Sequence, residues 1–306
     1  MKIFIDGSKR AAVSRMFPIW IKEGHSIEDN PKNADIQLSV VKIKNKGLPT
    51  VLRLDGVYYD LDEDYNKKNS DISRSHKIAD AIIYQSYFSK SMCENYLSPK
   101  TTTIFDVVYN GISDWNNPIP HDNINVVACA KWRRPKRLPE IITIFQEFRK
   151  LNPSSVLHIY GPMGKGAYEI KAPHVIYHGT VDENKLKEAY KTADIFLHIC
   201  KRDTCPSSVI EAISAGIPVI TTNVCGGATE ICLMTEGCGV LFEEEEKINP
   251  NYIYRDPYNN IPNFVIRAIV EYMNEIIIHK IKSKLPKELT IEYVAKKYLE
   301  VMEKIK

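Results

Sequence analysis

The chain has 306 residues, 44% hydrophobic and 26% charged, with a formal net charge of +3. That length suggests about two domains of ~150 residues, each able to bury its own core, and the composition is that of an ordinary globular protein. The charge is too small to indicate a dedicated nucleic-acid or membrane binder. The seven cysteines, Cys93, Cys129, Cys200, Cys205, Cys225, Cys232 and Cys238, are odd in number and include no Cys-x-x-Cys pair. Neither a disulfide scaffold nor a zinc site is expected, and a reducing compartment is. The opening apolar run Ile3-Phe4-Ile5 stops at Asp6, too short for a signal peptide. No apolar run approaches the ~18 residues of a membrane span. A cytoplasmic enzyme fits these features.

In chain order, short apolar runs alternate with helical patterns, the mark of βαβ units and parallel sheets. The first part predicts strands at 2–5, 36–41, 50–54, 81–84 and 103–108, with helices at 11–22, 71–79 and 86–96. Residues 114–124, rich in Pro and Asn, read as a linker. A second series predicts strands at 125–130, 155–160, 174–177, 195–198, 218–221 and 240–242, with helices at 139–151, 183–191 and 207–215. Two further helices are predicted at 261–284 and 291–305. The fold class is therefore α/β, with two Rossmann-like, doubly wound parallel-sheet domains facing a cleft, a usual place for a ligand. The first domain spans 1–118 and the second 124–289, with a last helix at 290–306 that is free to pack back on the first.

Chemistry concentrates in residues 195–221. A buried strand leads into the loop 200–206 and then into a helix that opens at Pro206-Ser207-Ser208 and closes before Gly216. Such a turn aims free backbone N–H groups and the positive helix end at one point, which suits a diphosphate. Glu211, in the first turns of that helix, suits a vicinal diol such as a ribose. Asp203, eight residues earlier, is placed to hold another polyol. A second basic stretch, Lys131-Trp-Arg-Arg-Pro-Lys136-Arg137, follows the first strand of the second domain. Its ammonium groups could neutralise a leaving diphosphate.

These segments resemble the second domain of family 4 glycosyltransferases of the GT-B fold. The resemblance runs in order through Leu157-His-Ile-Tyr-Gly161-Pro162, His178-Gly179-Thr180-Val181, Tyr190-Lys-Thr-Ala-Asp194, Glu211-Ala-Ile-Ser-Ala-Gly216-Ile-Pro218 and Gly226-Gly227-Ala-Thr-Glu230 to Gly239-Val-Leu. It touches the first domain at Ala79–Ser86 and Tyr109-Asn110-Gly111-Ile. It implies a retaining transferase that moves a sugar from a nucleotide-diphosphate sugar to an acceptor hydroxyl of a glycan, protein or lipid-linked molecule. No metal or other cofactor is implied. Lys131, where the family usually has Arg, and Lys136 would bind the diphosphate. Asp203 takes the place of the first Glu of the Glu-x7-Glu pattern, beside the donor sugar, and Glu211 is the second, on the ribose. Donor binding is further implied for Gly7, Ser8 (a glycine in the family), Gly161, Gly179, Val181, Pro206, Ser207, Ser208, Gly226 and Gly227. The family's usual His at the first-domain strand facing the sugar is missing from Leu52-Arg-Leu-Asp55-Gly56, so Asp55 or Arg53 would serve there.

Other patterns read more plainly. Asp60-Leu-Asp62 could be an Asp-x-Asp metal motif but sits in a polar stretch and reads as a solvated loop. Glu243–Glu246 reads as an exposed loop. The helix at 11–22 is basic and apolar enough to touch a membrane surface, and packing on its own sheet is the simpler reading. His25, His158, His178 and His198 each read as structural. Three rival functions remain: a nucleotide-sugar epimerase, an inverting transferase and a non-catalytic sugar-nucleotide-binding subunit.

Overall fold

The computed structural model describes residues 1–7, 11–58, 64–243 and 261–306. They form two compact units, the first drawn from 1–112 and 287–306, the second from 113–243 and 261–286. All seven cysteines are free thiols. Among the described residues, no helix is long and apolar enough to cross a membrane.

The first unit holds six strands: β1 (Lys2–Asp6), β2 (Ser26–Glu28), β3 (Ile36–Val40), β4 (Thr50–Leu54), β5 (Ala81–Tyr84) and β6 (Phe105–Val107). They form one sheet in the order β2-β1-β3-β4-β5-β6, with every pairing parallel. Successive side chains of a strand point to opposite faces. Accordingly Val51, Ala81 and Ile83 join one buried cluster, while Leu52, Leu54, Ile82 and Tyr84 join another on the opposite face. Both faces are apolar because both are covered, as parallel sheets require. Helices α3 (Tyr65–Ile78) and α4 (Tyr87–Tyr96) cover one face through Ile72, Phe88 and Met92. The other face is covered by Trp20, Val294, Tyr298 and Met302, and Trp20 Nε1 donates to the Ala295 carbonyl at 2.9 Å. The helix Ile291–Glu303 thus belongs to the core of the first unit.

Two local readings change. The single helix expected at 11–22 is two, α1 (Ala11–Ser14) and α2 (Phe17–Lys22), with Met16 at the N-cap of the second. The break follows from Pro18, which lacks the N–H that would bond the Ser14 carbonyl and belongs in a helix's first turn. Strand β2 was not expected, since three residues on a sheet edge carry too little periodicity to read. The apolar side of this region, Val13, Met16 and Trp20, is wholly buried within the unit.

The second unit repeats the plan with β7 (Asn125–Cys129), β8 (Val156–Tyr160), β9 (Val175–Gly179), β10 (Ile195–Leu197), β11 (Val219–Thr222) and β12 (Gly239–Leu241). Their order is β12-β11-β10-β7-β8-β9, again all parallel. Helix α5 (Leu138–Leu151) sets Ile141, Ile144, Phe145 and Phe148 at helical spacing against the sheet. Beside it, the helix Asn263–His279 adds Val265, Ile269 and Met273 to the same core. Helices α6 (Glu183–Tyr190), α7 (Ser207–Ser214) and α8 (Gly227–Leu233) complete the unit. Helix α8 was not expected, because its Gly226-Gly227 start reads locally as a turn. Burial of Ala228, Ile231 and Cys232 makes it a helix. Chain progression reverses at β7, which lies between β8 and β10, so the switch point of this sheet falls at the carboxyl ends of β7 and β10.

Candidate active site

Three loops meet at that switch point. The loop after β7 carries the basic run, the loop after β10 carries residues 200–206, and the loop after β11 carries Cys225-Gly226. Lys201 N donates to the Pro135 carbonyl at 2.9 Å, fixing the second loop to the first. Asp203 N donates to Cys225 O at 3.0 Å and Gly227 N to Asp203 O at 2.7 Å, fixing it to the third. Gly226 starts α8 with φ 66° and ψ −121°, a backbone region open essentially to glycine.

The Asp203 carboxylate is held by two groups. Lys136 Nζ donates to its Oδ2, and His198 Nε2 lies 3.3 Å from the same oxygen. Burial alone would raise this carboxyl's pKa, but the Lys136 ammonium and His198 outweigh it and hold the group well below the usual carboxylate range. His198 is 4% exposed, and its Nε2 is also 3.1 Å from Cys200 Sγ. The neighbouring Cys225 Sγ donates to the Cys200 carbonyl at 2.6 Å. Burial would raise the Cys225 thiol, yet its contacts with Cys200, His198, Thr221 and Thr222 hold it below the ordinary thiol value.

Pro206 is the N-cap of α7 and supplies no side-chain cap, leaving that helix end to other partners. Ser207 and Ser208 open the helix, half-buried. Glu211 lies one turn on and is buried. Burial, with the Glu211 charge next in size, pushes the Cys129 thiol at the end of β7 up to about 12. Burial, Cys129 and Glu211 together push Tyr190 up as well.

The basic run divides into different environments. Lys131, Arg133 and Arg134 are exposed, while Lys136 is half-buried on Asp203. Arg137 is buried in a left-handed conformation (φ 51°) and forms a two-pronged pair with Glu243 at 2.7 and 2.8 Å. Thr222 Oγ1 donates to that carboxylate at 3.0 Å, and Glu243 N donates to Asn223 Oδ1 at 2.7 Å. This overturns the reading of Glu243 as exposed loop: it satisfies a buried guanidinium and needs burial to do so. Glu244, Glu245 and Glu246, like Asp60, Asp62 and the candidate Ser8, lie outside the described residues.

The loop bearing Lys131 is stitched to the end of β8. Ala130 N donates to Tyr160 O, Trp132 N to Pro162 O and Gly164 N to Trp132 O. Gly161 N donates to Gly179 O at 2.7 Å, which joins the candidate glycines of two strands. Gly161 has φ 101°, and a Cβ there would lie 2.0 Å from Ala130 O. Val181, half-buried, follows in the loop to α6. In the first unit, Gly7 follows β1 with φ 123°. Asp55, just past β4, pairs with Arg53. Arg53 is 2% exposed and also donates to Asn110 Oδ1 at 3.0 Å, which accepts from Gln85 Nε2 at 2.8 Å.

Lys136, Asp203, Gly226 and Gly227 are thus assembled at one point, with α7 and Glu211 leading away from it. The sequence reading missed His198 and Cys200 as members of this cluster. Their place between a strand end and Asp203 was the available signal. The pairing of Arg137 with Glu243 had no local signal.

Residues 111–249 match the model of the family described as glycosyl transferases group 1. No curated protein sequence matches the chain. Among solved structures, the fold is similar to WaaG, a glycosyltransferase involved in lipopolysaccharide biosynthesis, with a TM-score of 0.64, 16% identity and 99% of each chain covered. It is similar to Anabaena HepE in complex with UDP and glucose, with a TM-score of 0.64, 13% identity, 99% of this chain covered and 100% of that one. Sucrose-phosphate synthase from Thermosynechococcus elongatus follows, with a TM-score of 0.60, 12% identity, 90% of this chain covered and 70% of that one. These likenesses establish the GT-B fold, two Rossmann-like domains with parallel sheets. With a group 1 glycosyl transferase domain on that fold, the protein is a glycosyltransferase.

Proposed function

We propose that this glycosyltransferase moves a sugar from a nucleotide-diphosphate donor to an acceptor hydroxyl with retention of anomeric configuration, in glycan or glycoconjugate synthesis. The observation that carries the reading is the convergence of Lys136, Asp203 and the uncapped start of α7 at the switch point, with Glu211 one turn along the helix. Cations and a helix N-terminus suit a diphosphate. Two carboxylates, one on each side of it, suit the hydroxyls of the ribose and the donor sugar. HepE, crystallised with UDP and glucose, has the same fold and guides the choice of first donor to test.

In this reading Glu211 holds the ribose, and Gly179 and Val181 flank the base. Lys131, Lys136 and the Ser207-Ser208 helix start neutralise the departing diphosphate, so no metal ion is needed for that task. Asp203 holds the donor sugar, with Gly161, Pro206, Gly226 and Gly227 shaping the pocket floor. The domain of residues 124–289 is the donor domain. That of residues 1–118, with the last helix, bears the acceptor, and Gly7, Ser8 and Asp55 act from its side. The acceptor oxygen attacks the face the leaving group vacates, and a phosphate oxygen takes its proton, so no side-chain base is required. The acceptor is a glycan, protein or lipid-linked hydroxyl.

The test pairs thermal-shift screening of UDP-, GDP- and ADP-sugars with NMR of the product's anomeric carbon. Glu211→Ala is expected to fold and to lose transfer by about two orders of magnitude or more, equivalent to ~2.7 kcal/mol of barrier. Near-wild-type turnover by this variant would sink the donor assignment. An inverted anomeric carbon would overturn retention alone.

A further inference from the structure

Three side chains of different ligand chemistry meet beside the candidate donor site. His198 Nε2 is 3.1 Å from Cys200 Sγ and 3.3 Å from Asp203 Oδ2, and all three ligand atoms lie within 4.8 Å of one another. Zinc bound tetrahedrally at ~2.0–2.3 Å to nitrogen, oxygen and sulfur sets neighbouring ligand atoms roughly 3.3–3.7 Å apart. The two separations from His198 Nε2 are therefore near ligating values, and the third lies within 4.8 Å. It is also rigidly based. The His198 carbonyl accepts from Thr221 Oγ1 at 2.8 Å, its ring stacks on Phe196 (17°, centroids 6.5 Å), and Asp203 is pinned through its own backbone to Cys225 and Gly227. His198 and Cys200 are buried, while the Asp203 side chain keeps 18% exposure, which leaves one side for an ion to enter.

We propose that His198, Cys200 and Asp203 form a binding site for a thiophilic divalent ion of the zinc class, and that the ion and the Lys136 ammonium compete for the Asp203 carboxylate. The donor set of one imidazole, one thiolate and one carboxylate favours zinc-class ions over magnesium or calcium. Binding forms one bond from the metal to each of the three ligand atoms. The thiol proton of Cys200 leaves to solvent, and the ion's charge repels the Lys136 ammonium across Asp203, weakening its hold on that carboxylate. Three protein ligands leave a fourth position for solvent. The ion is no part of the transfer chemistry. It occupies the group that would hold the donor sugar, and so inhibits. The inhibition rests on the donor reading above, whereas the metal site itself does not.

Binding is tested on the full chain, stripped of metal, with Zn2+ or Co2+ alone and no nucleotide. The expected result is about one equivalent of metal after equilibrium dialysis, with a thiolate-to-Co2+ charge-transfer band. Losing an outer partner alone weakens metal sites about 10–100-fold, so Cys200→Ala is expected to weaken binding by at least ~100-fold. Lys136→Met removes the competing charge and is expected to tighten it roughly tenfold. Equal binding by wild type and Cys200→Ala, or a wild-type Co2+ complex without the thiolate band, would overturn the site, and the band requires no variant to fold. Unchanged affinity in Lys136→Met would overturn the competition. A separate arm measures UDP-glucose binding with and without Zn2+. Weaker binding with Zn2+ supports inhibition, and equal binding rejects it. No UDP-glucose binding in either state counts against the donor reading, leaving the metal result intact.

Discussion

At the scale of single residues, the candidate site is organised by who satisfies each charge. Asp203 is ionised because Lys136 and His198 outweigh the cost of its burial. Lys136 in turn keeps its proton: burial would lower its pKa, but the Asp203 carboxylate raises it. Arg137, next in sequence, is spent on a structural pair with Glu243, where losing either partner would strand a buried charge. At Gly161, the φ of 101° and the 2.0 Å gap to Ala130 O leave no room for a methyl group. Gly161→Ala is expected to cost about 2–4 kcal/mol, from left-handed strain plus displacement of the Ala130–Trp132 loop. Denaturant midpoints measure it, and a loss below ~0.5 kcal/mol, the size of an ordinary surface change, would contradict the contact.

At the scale of elements, β10, its loop and α7 act as one unit: a buried strand, a pinned loop and a helix opening on Pro206. Here the sequence was most legible, since Pro206 and Gly216 mark the helix limits by local chemistry. Helix α8 and strand β2 were not legible, being too short for a period to show. The pair β8–β9 carries a ring stack that also has a measurable consequence. His178 stacks on Tyr160 (centroids 4.4 Å, 7°) and lies 3.0 Å from His158 through facing ring nitrogens. Burial, and then the His178 charge, lower the His158 pKa to about 4 from 6.5. Above pH 6.5 the folded and unfolded chains are both neutral at this ring, so it adds no slope. Between pH 6.5 and 4 the unfolded chain takes up the proton first, and stability falls as pH falls. Melting temperatures of His158→Gln are therefore expected to decline less than wild type across that window. Parallel curves for the two proteins would reject the assignment.

At the scale of the whole molecule, each unit buries both faces of a six-stranded parallel sheet, and the first does so with chain from both ends. Val294, Tyr298 and Met302 fill the face over β1, β3 and β4, and Ile112 N and O bond Leu289 O and Ile291 N at 3.0 Å. Removing residues 287–306 would expose that face and leave the Trp20 indole N–H without the Ala295 carbonyl. Such a truncation is expected to lose cooperative unfolding and to bind a hydrophobic dye, read by calorimetry and fluorescence. A sharp transition at the wild-type melting temperature would show the helix to be dispensable.

The sequence by itself determined the class of fold. Apolar runs of four to six residues between turn-forming stretches have one stable outcome, strands buried on both faces and covered by helices. It also determined where α7 begins, because Pro206, Ser207 and Ser208 set a helix start soon after a strand. Only the tertiary structure decided which charges meet. Lys136 and Asp203 are 67 residues apart and Arg137 and Glu243 are 106 apart. They pair because the order β12-β11-β10-β7 lays the loops that follow these strands side by side, and strand order is a property of the packed sheet that no local pattern encodes.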